Sequence, residues 1–144
     1  TIQESINSLK SFKGVKRRMD YVGEISSIKI YDDFSHHPTA IKLSTSAIKN
    51  KYPDKRIIGL IELASNTMSS GHHEENLIDS FSSLDEVLLL DHKKVYDYKN
   101  AYDSIESLII KLQEIVFDYD IILIMTNKDS QKFINPIINH LESK

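Results

Sequence analysis

Three short apolar runs, separated by helix-like segments, constrain the fold of this 144-residue chain more than any other feature. The runs cover residues 57–63, 86–90 and 121–125, and almost no charge interrupts them. Continuous apolar runs are typical of strands buried on both faces of a parallel sheet, whereas half-exposed strands alternate. Two shorter strands are predicted at 22–25 and 28–31, on either side of a Ser-Ser turn. Together with the three apolar runs, they predict a largely parallel sheet.

Helical patterns fill the segments between these strands. Pro38 suits the first turn of a helix over 38–52, and another helix is predicted at 74–81. The last helical pattern contains Pro136, whose ring disrupts the interior of a helix. We therefore expect that helix to begin near Asn135.

One further helix carries the clearest amphipathic stripe, with Ser104 or Asp103 as its N-cap. Its apolar residues are Ile105, Leu108, Ile109, Leu112 and Val116. The order β-β-α-β-α-β-α-β-α predicts an α/β, three-layer, Rossmann-like domain with a mostly parallel sheet. In such domains ligands bind beyond the carboxyl ends of the strands.

The composition narrows the possible functions. There are 18 Lys and Arg against 21 Asp and Glu, and this net charge of −3 provides no basic field for nucleic-acid binding. With no cysteine, disulfides, thiolate metal sites and a cysteine nucleophile are excluded. No signal peptide or membrane span is recognised. We therefore predict a cytoplasmic protein that binds neither nucleic acid nor membrane.

The densest polar segment covers residues 32–39, directly after the second predicted strand. It contains two carboxylates, Asp32 and Asp33, and two imidazoles, His36 and His37. The segment lies where an α/β sheet presents its loops and where a helix N-terminus attracts anions. These residues could bind a ligand such as a ribose, ligate a metal, or serve only as turn and cap residues.

Other polar segments allow a functional and a structural interpretation. Residues 13–18 carry cations, including arginines whose planar fork suits phosphate, but they could be a solvated charge run. The Ser-Asn-Thr at 65–67 offers small hydrogen-bonding groups after the central strand, but could be a plain loop and cap. We expect 71–75 to be an exposed helix start and 91–94 a surface loop.

Two absent motifs indicate that the chain depends on a partner. The sequence has no Gly-x-x-x-x-Gly-Lys-Ser/Thr phosphate loop and no Gly-x-Gly-x-x-Gly, so it lacks its own nucleotide cradle. A helix predicted over 1–12 is too short to be stable alone in water. We expect that helix to pack against a neighbouring domain, and the chain to be incomplete by itself.

Several motifs resemble the start of the C-terminal domain of the Mur ligases. They are FKGVKRRMD at 12–20, GE at 23–24 and IYDDFSHHPTAI at 30–41, and their Asp-Asp-x-x-His-His-Pro core is specific. The Ser-Asn-Thr-Met at 65–68 resembles the corresponding segment in the branch of the family that adds a murein tripeptide. The branch that adds L-alanine usually has Tyr-Gly in place of the Phe-Ser at 34–35.

The resemblance implies an ATP-dependent amide ligase of peptidoglycan recycling. It would join L-alanyl-gamma-D-glutamyl-meso-diaminopimelate to UDP-N-acetylmuramate through an acyl phosphate. Residues 1–14 would be the last helix and linker of the central ATPase domain, and 15–144 the C-terminal domain. The phosphate loop, the modified lysine and the ligands of magnesium would lie in that central domain, which together with an N-terminal domain would be the partner of this chain. The isolated chain is therefore expected to be inactive.

The resemblance also assigns site residues. It places Arg18 on the ATP phosphates, Asp33 on the ribose and Phe34 beside the nucleotide, and it makes Arg18 and His36 catalytic. The residues that would bind the substrates are His36, His37, Thr39, Ser65, Asn66 and Thr67. No metal ligand is assigned to this chain.

The sequence departs from the family pattern at two places. Leu63 and Ala64 stand where the family has Pro-Arg, so a cation expected to face a substrate carboxylate is missing, unless Lys128, Lys132 or the central domain supplies another. Residues 126–129 read Thr-Asn-Lys-Asp where the family often has Ser-Asn-Gly-Gly.

Three alternatives remain open. The first is the same domain from an L-alanine-adding ligase. The second is a metal-dependent phosphohydrolase that uses Asp32, Asp33, His36 and His37. The third is a nucleotide-binding module without catalytic activity. The missing phosphate loop and the unpartnered first helix favour a ligase fragment over a free-standing enzyme.

Overall fold

The computed structural model describes residues 2–4, 17–63 and 74–144. Within these residues six strands form one sheet: β1 (Asp20–Ile25), β2 (Ile28–Asp33), β3 (Ile57–Glu62), β4 (Glu86–Leu90), β5 (Ala101–Tyr102) and β6 (Ile121–Met125). The strand order is β1-β2-β6-β3-β4-β5. Every neighbouring pair is parallel except β1 and β2, which form an antiparallel hairpin. The predicted mostly parallel sheet is confirmed.

The β1–β2 hairpin turns at the predicted Ser-Ser pair. Ser26 and Ser27 both have positive φ, 50° and 64°, as the central residues of a type I′ turn require. Ile25 pairs with Ile28 across the turn. β1 begins and β2 ends two residues beyond the predicted limits, which brings Asp32 and Asp33 into the sheet.

In the described part of the chain four helices cover the two faces of the sheet: α1 (Pro38–Lys51), α2 (Glu74–Ser80), α3 (Ile105–Ile115) and α4 (Gln131–Glu142). α1 and α2 pack on one face, and α3 and α4 pack on the other. Successive strand residues alternate between the two cores, so Ile58 and Leu60 face α3 and α4 while Ile57 and Ile61 face α1 and α2. This confirms a three-layer, Rossmann-like α/β domain.

Capping explains where two helices begin. Pro38 occupies the first turn of α1, as predicted, where its missing N–H costs no hydrogen bond. At α3 the side chain of Ser104 accepts a hydrogen bond from the Ser107 N–H at 3.3 Å, so Ser104 rather than Asp103 is the cap.

The last helix corrects the sequence prediction. α4 begins at Gln131 instead of near Asn135, and Pro136 lies inside it. The first turn buries Phe133 completely and Ile134 almost completely. Burial of each such side chain contributes about 1.5–3 kcal/mol, which offsets a proline penalty of about 3 kcal/mol.

The segment after β4 agrees with the prediction in part. Residues 91–94 form the predicted loop and 92–94 are exposed, but Asp91 is buried, and its carboxylate accepts hydrogen bonds from the N–H groups of Val95 (2.7 Å) and Tyr96 (2.9 Å). These bonds order a connection to the short edge strand β5, which the sequence did not predict.

Only a small part of the predicted first helix can be assessed. Residues 2–4 are helical, and the remainder of that prediction lies outside the described residues. No helix in the described ranges is both long and apolar enough to span a membrane.

Candidate functional site

The chain topology places a crevice at the carboxyl ends of β2, β6 and β3. α1 carries the chain from β2 to β3 over one face, and α3 returns it to β6 over the other. β6 therefore lies between β2 and β3, and the strand order reverses there. Such switch points are where open α/β sheets bind ligands. We call this region the carboxyl edge.

Arg17 ties the carboxyl edge together. Its Nε donates to Asp32 Oδ2 at 3.2 Å, and one terminal N–H donates to the Thr126 carbonyl at 2.7 Å. Its guanidinium lies 5.4 Å from the centre of the Phe34 ring. Ser130 Oγ donates to the same Asp32 oxygen at 2.7 Å. Arg17 therefore links β2 to the end of β6 through a mostly buried ion pair and a carbonyl hydrogen bond, and Ser130 at the start of α4 shares its Asp32 oxygen.

Asp33 orders the loop that follows β2. Its Oδ2 accepts from the Met19 N–H at 2.8 Å, and its Oδ1 accepts from the Ser35 N–H at 2.8 Å and from Ser44 Oγ at 3.1 Å. The residue is only 1% exposed. Its carboxylate thus holds the backbone of the loop, and contact with a ribose stays a prediction.

Three of the predicted site residues are presented to solvent at this edge. Arg18 and Phe34 are exposed, and His36 is half-buried. Within the described residues, no hydrogen bond or ion pair engages the Arg18 side chain. The His36 ring packs edge-on against Phe34, with 5.5 Å between ring centres, and its Nδ1 lies 3.0 Å from the Phe34 carbonyl oxygen. A cation and an aromatic face are therefore available together.

The first turn of α1 contributes the remaining described site residues. His37 is the N-cap and makes no side-chain capping bond, and Thr39 is exposed. Both line a groove of about 470 Å³ between α1 and α2, where Lys42 pairs with Asp79 at 2.7 Å. The uncapped N–H groups and the groove lie directly beside the loop that Asp33 holds.

A second polar cluster, which we call the Glu62 cluster, lies at the ends of β3 and β6. Glu62 is 2% exposed; its Oε2 accepts from Thr126 Oγ1 and its Oε1 from Lys132 Nζ. His92 Nε2 lies 3.6 Å from the same Oε1. The sequence interpretation missed Glu62 and His92 and named Lys132 only as a substitute cation. The available signal was a lone carboxylate at the end of an apolar run.

Some predicted residues cannot be placed. Ser65, Asn66 and Thr67 lie outside the described residues, as do Ala64 and residues 71–73. In the described ranges no three His, Asp or Glu side chains come together in a way that could hold a metal ion. The Asp32, Asp33, His36 and His37 set therefore does not form the metal centre that the phosphohydrolase alternative requires.

The domain has three layers, and a cation and an aromatic ring lie at the switch point of its sheet. It is therefore an α/β domain of the class that presents ligand-binding loops at the carboxyl ends of its strands. Residues 17–127 match the family model described as "Mur ligase, glutamate ligase domain". The chain belongs to the Mur ligase family.

Individual relatives fall into two groups by their names. A UDP-N-acetylmuramate–L-alanine ligase from Hydrogenobaculum sp. is 44% identical over 85 residues, which are 59% of this chain and 19% of that protein. The UDP-N-acetylmuramate–L-alanyl-gamma-D-glutamyl-meso-2,6-diaminoheptandioate ligase of Escherichia coli is 41% identical over 88 residues, 60% of this chain and 19% of that protein. The match thus spans about a fifth of the length of these curated relatives.

Solved structures support the same family. A murein peptide ligase from Psychrobacter arcticus superposes with a TM-score of 0.79 at 28% identity, covering 96% of this chain and 32% of that one. A domain of a putative UDP-N-acetylmuramate:L-alanyl-gamma-D-glutamyl-diaminopimelate ligase from Haemophilus ducreyi superposes with a TM-score of 0.69 at 25% identity. The match covers 88% of this chain and 98% of that one.

Proposed function

We propose that this chain is the C-terminal domain of an ATP-dependent ligase that joins L-alanyl-gamma-D-glutamyl-meso-diaminopimelate to UDP-N-acetylmuramate in the cytoplasm. The observation that carries the proposal is the family match over 17–127, which includes Arg18, Phe34 and His36 at the carboxyl edge. Residues 1–14 are the end of a central ATPase domain, and 15–144 form the domain that closes over it.

Each predicted site residue within the described ranges has a role in that closure. Arg18 provides an exposed guanidinium for the ATP phosphates, and Phe34 provides an apolar face for the nucleotide. His36 reaches the reacting centre, and His37 and Thr39 line the groove on the acceptor side. Asp33 has three donors for about four acceptor sites, so one site remains for a ribose hydroxyl, but the residue is 1% exposed and the loop has to move to admit it. In this proposal magnesium binds mainly to residues of the central domain.

The choice of the tripeptide as acceptor rests on two features. The Psychrobacter murein peptide ligase superposes with a TM-score of 0.79, and the Ser-Asn-Thr-Met at 65–68 resembles that branch. The second candidate is L-alanine, because relatives named for each acceptor match this chain at similar identity.

The test is a coupled assay of ADP release by the full-length gene product with ATP, UDP-N-acetylmuramate and either acceptor. We expect ADP release that depends on the tripeptide, and none from the 144-residue chain alone. A clear preference for L-alanine would establish the second candidate. ATP turnover by the isolated chain would contradict the assignment to a ligase domain.

The role of Arg18 has its own test. A guanidinium on a transferring phosphoryl group contributes about 3 kcal/mol or more to the transition state, so Arg18→Ala should lower kcat about a hundredfold. Lysine should rescue only partly, since it lacks the planar fork. Because Arg18 has no described partner, the folded state should be unaffected. Near-normal turnover of Arg18→Ala would remove Arg18 from the active site.

A further inference from the structure

Three tyrosines and two lysines line a groove beside the β1–β2 hairpin, which we call the tyrosine groove. Its lining residues are Tyr21, Lys29, Tyr31, Lys51 and Tyr52. Lys51 is the last residue of α1 and lies about 20 Å from the start of that 14-residue helix at the carboxyl edge. The volume of the groove is about 300 Å³, at the lower limit of small-molecule sites. It therefore has room for a small ligand, and none of its residues belongs to the sites described above.

The tyrosine rings form a continuous aromatic wall. The ring centres of Tyr21 and Tyr31 are 5.3 Å apart, and those of Tyr31 and Tyr52 are 6.2 Å apart. Both separations fall within the range of favourable aromatic contacts. Tyr31 is 3% exposed and belongs to the core on the α1 side of the sheet, whereas Tyr21 is 50% exposed. The wall is thus anchored in the core and presents an open aromatic face.

Lys51 adds a positive charge to this wall. Its Nζ donates to the Tyr31 hydroxyl at 3.3 Å and lies 5.3 Å and 5.4 Å from the ring centres of Tyr31 and Tyr52. The hydrogen bond with Tyr31 raises the pKa of Lys51 above its usual value, so the ammonium is charged at neutral pH. Lys29 forms an ion pair with Glu24, but within the described residues no carboxylate pairs with Lys51. One positive charge in the groove is therefore not neutralised.

The phenol groups provide a further hydrogen-bond donor. The hydroxyl oxygens of Tyr31 and Tyr52 are 2.6 Å apart, so one phenol donates its proton to the other. Each phenol has a single proton, and the second phenol's proton is not used in that bond. The Lys51 ammonium has two protons besides the one donated to Tyr31. A surplus of donors beside a charge that is not neutralised favours an anion.

We propose that the tyrosine groove binds an aromatic carboxylate, which is a flat ring with one carboxylate group. The carboxylate accepts a charge-assisted hydrogen bond from Lys51 and a second bond from the remaining phenol proton, and the ring packs on the open face of Tyr21. One carboxylate matches the single charge that is not neutralised, whereas a phosphate ester carries about −1.5 to −2 charges. This inference does not depend on the proposed ligase function, because none of these residues takes part in it.

The test is a titration of the 144-residue chain with benzoate, followed by the NMR signals of the tyrosine rings. We expect saturable shifts for Tyr21, Tyr31 and Tyr52 and none for Tyr119, which does not line the groove. Two analogues separate the contributions of charge and ring. Benzyl alcohol has the ring without the charge and should bind about tenfold more weakly. Cyclohexanecarboxylate has the charge without an aromatic face and should bind about fivefold more weakly.

Substitutions test the two groups that contact the ligand. Lys51→Gln removes the charge, so the Kd for benzoate should rise about tenfold or more, and Lys51→Arg should restore most of the affinity. Tyr21→Leu removes the open aromatic face and should raise the Kd about fivefold. Lys55→Gln is the matched control, since Lys55 Nζ lies 5.0 Å from the centre of the Tyr119 ring, outside the groove. Its Kd for benzoate should be unchanged.

Three results would overturn the proposal: no saturable shift of the groove tyrosines with benzoate, equal affinity for benzoate and benzyl alcohol, or equal loss of affinity in Lys55→Gln and Lys51→Gln. The ligase function has a separate readout in ADP release by the full-length gene product. Its failure would leave the binding of benzoate by this chain unchanged.

Discussion

Arg17 and Arg18 are adjacent in sequence, and the structure predicts opposite consequences for their replacement. Arg17 bonds to a buried carboxylate and to a backbone carbonyl, whereas Arg18 is exposed and has no described partner. Arg17→Ala should therefore destabilise the folded domain, and Arg18→Ala should not. The pair provides a comparison with the same chemical change at neighbouring positions.

The magnitude follows from the contacts of Arg17. Breaking a fully buried ion pair costs about 3–5 kcal/mol, because the remaining charge is buried without its partner. Asp32 is 5% exposed and would keep only the Ser130 bond, but the Arg17 side chain is 22% exposed, which admits water to the vacated space. We therefore expect Arg17→Ala to lower the free energy of unfolding by about 2–4 kcal/mol. Arg17 has a positive φ of 58°, and alanine retains that backbone cost, so the loss reports the side chain alone.

The assay is urea unfolding of the 144-residue chain, followed by circular dichroism. With a slope of about 2 kcal/mol per molar urea, the midpoint of Arg17→Ala should fall by about 1–2 M. The midpoint of Arg18→Ala should change by less than about 0.3 M, as for an ordinary surface substitution. Equal midpoints for the two variants, or a larger loss in Arg18→Ala, would refute the assignment of Arg17 to the fold and Arg18 to the active site.

Two further predictions concern local structure. Ser104→Ala removes the α3 cap and should cost about 1 kcal/mol of unfolding free energy, while Ser104→Asp should retain most of it. Burial raises the pKa of the Tyr31 phenol above its usual value of 10, and its hydrogen bond with Tyr52 (2.6 Å) raises it further, so Tyr52→Phe should lower the Tyr31 pKa in an absorbance titration. The stability that this raised pKa contributes is present below pH 10 and is lost as the pH rises through the raised pKa. An unchanged titration midpoint of Tyr31 in Tyr52→Phe would show that the hydrogen bond does not raise its pKa.

Local patterns in the sequence were sufficient for most of the fold. The apolar runs at 57–62, 86–90 and 121–125 are strands because side chains buried on both faces leave a signal within a few consecutive residues. Pro38 and Ser104 mark helix starts through bonds made inside the first turn. The short strand β5 and the early start of α4 escaped prediction because each depends on packing against the sheet rather than on its own residues.

The sequence by itself determined the layer architecture and the location of the polar segment 32–39 at the end of a strand. Only the tertiary structure decided which of two neighbouring arginines is bound within the fold, because the choice depends on Asp32 in β2 and on Thr126 directly after β6. It also decided that Lys132 meets Glu62, 70 residues away in the sequence. Charge pairing acts over a few ångströms in space and leaves no periodic signal along the chain, whereas burial of a strand or helix face does.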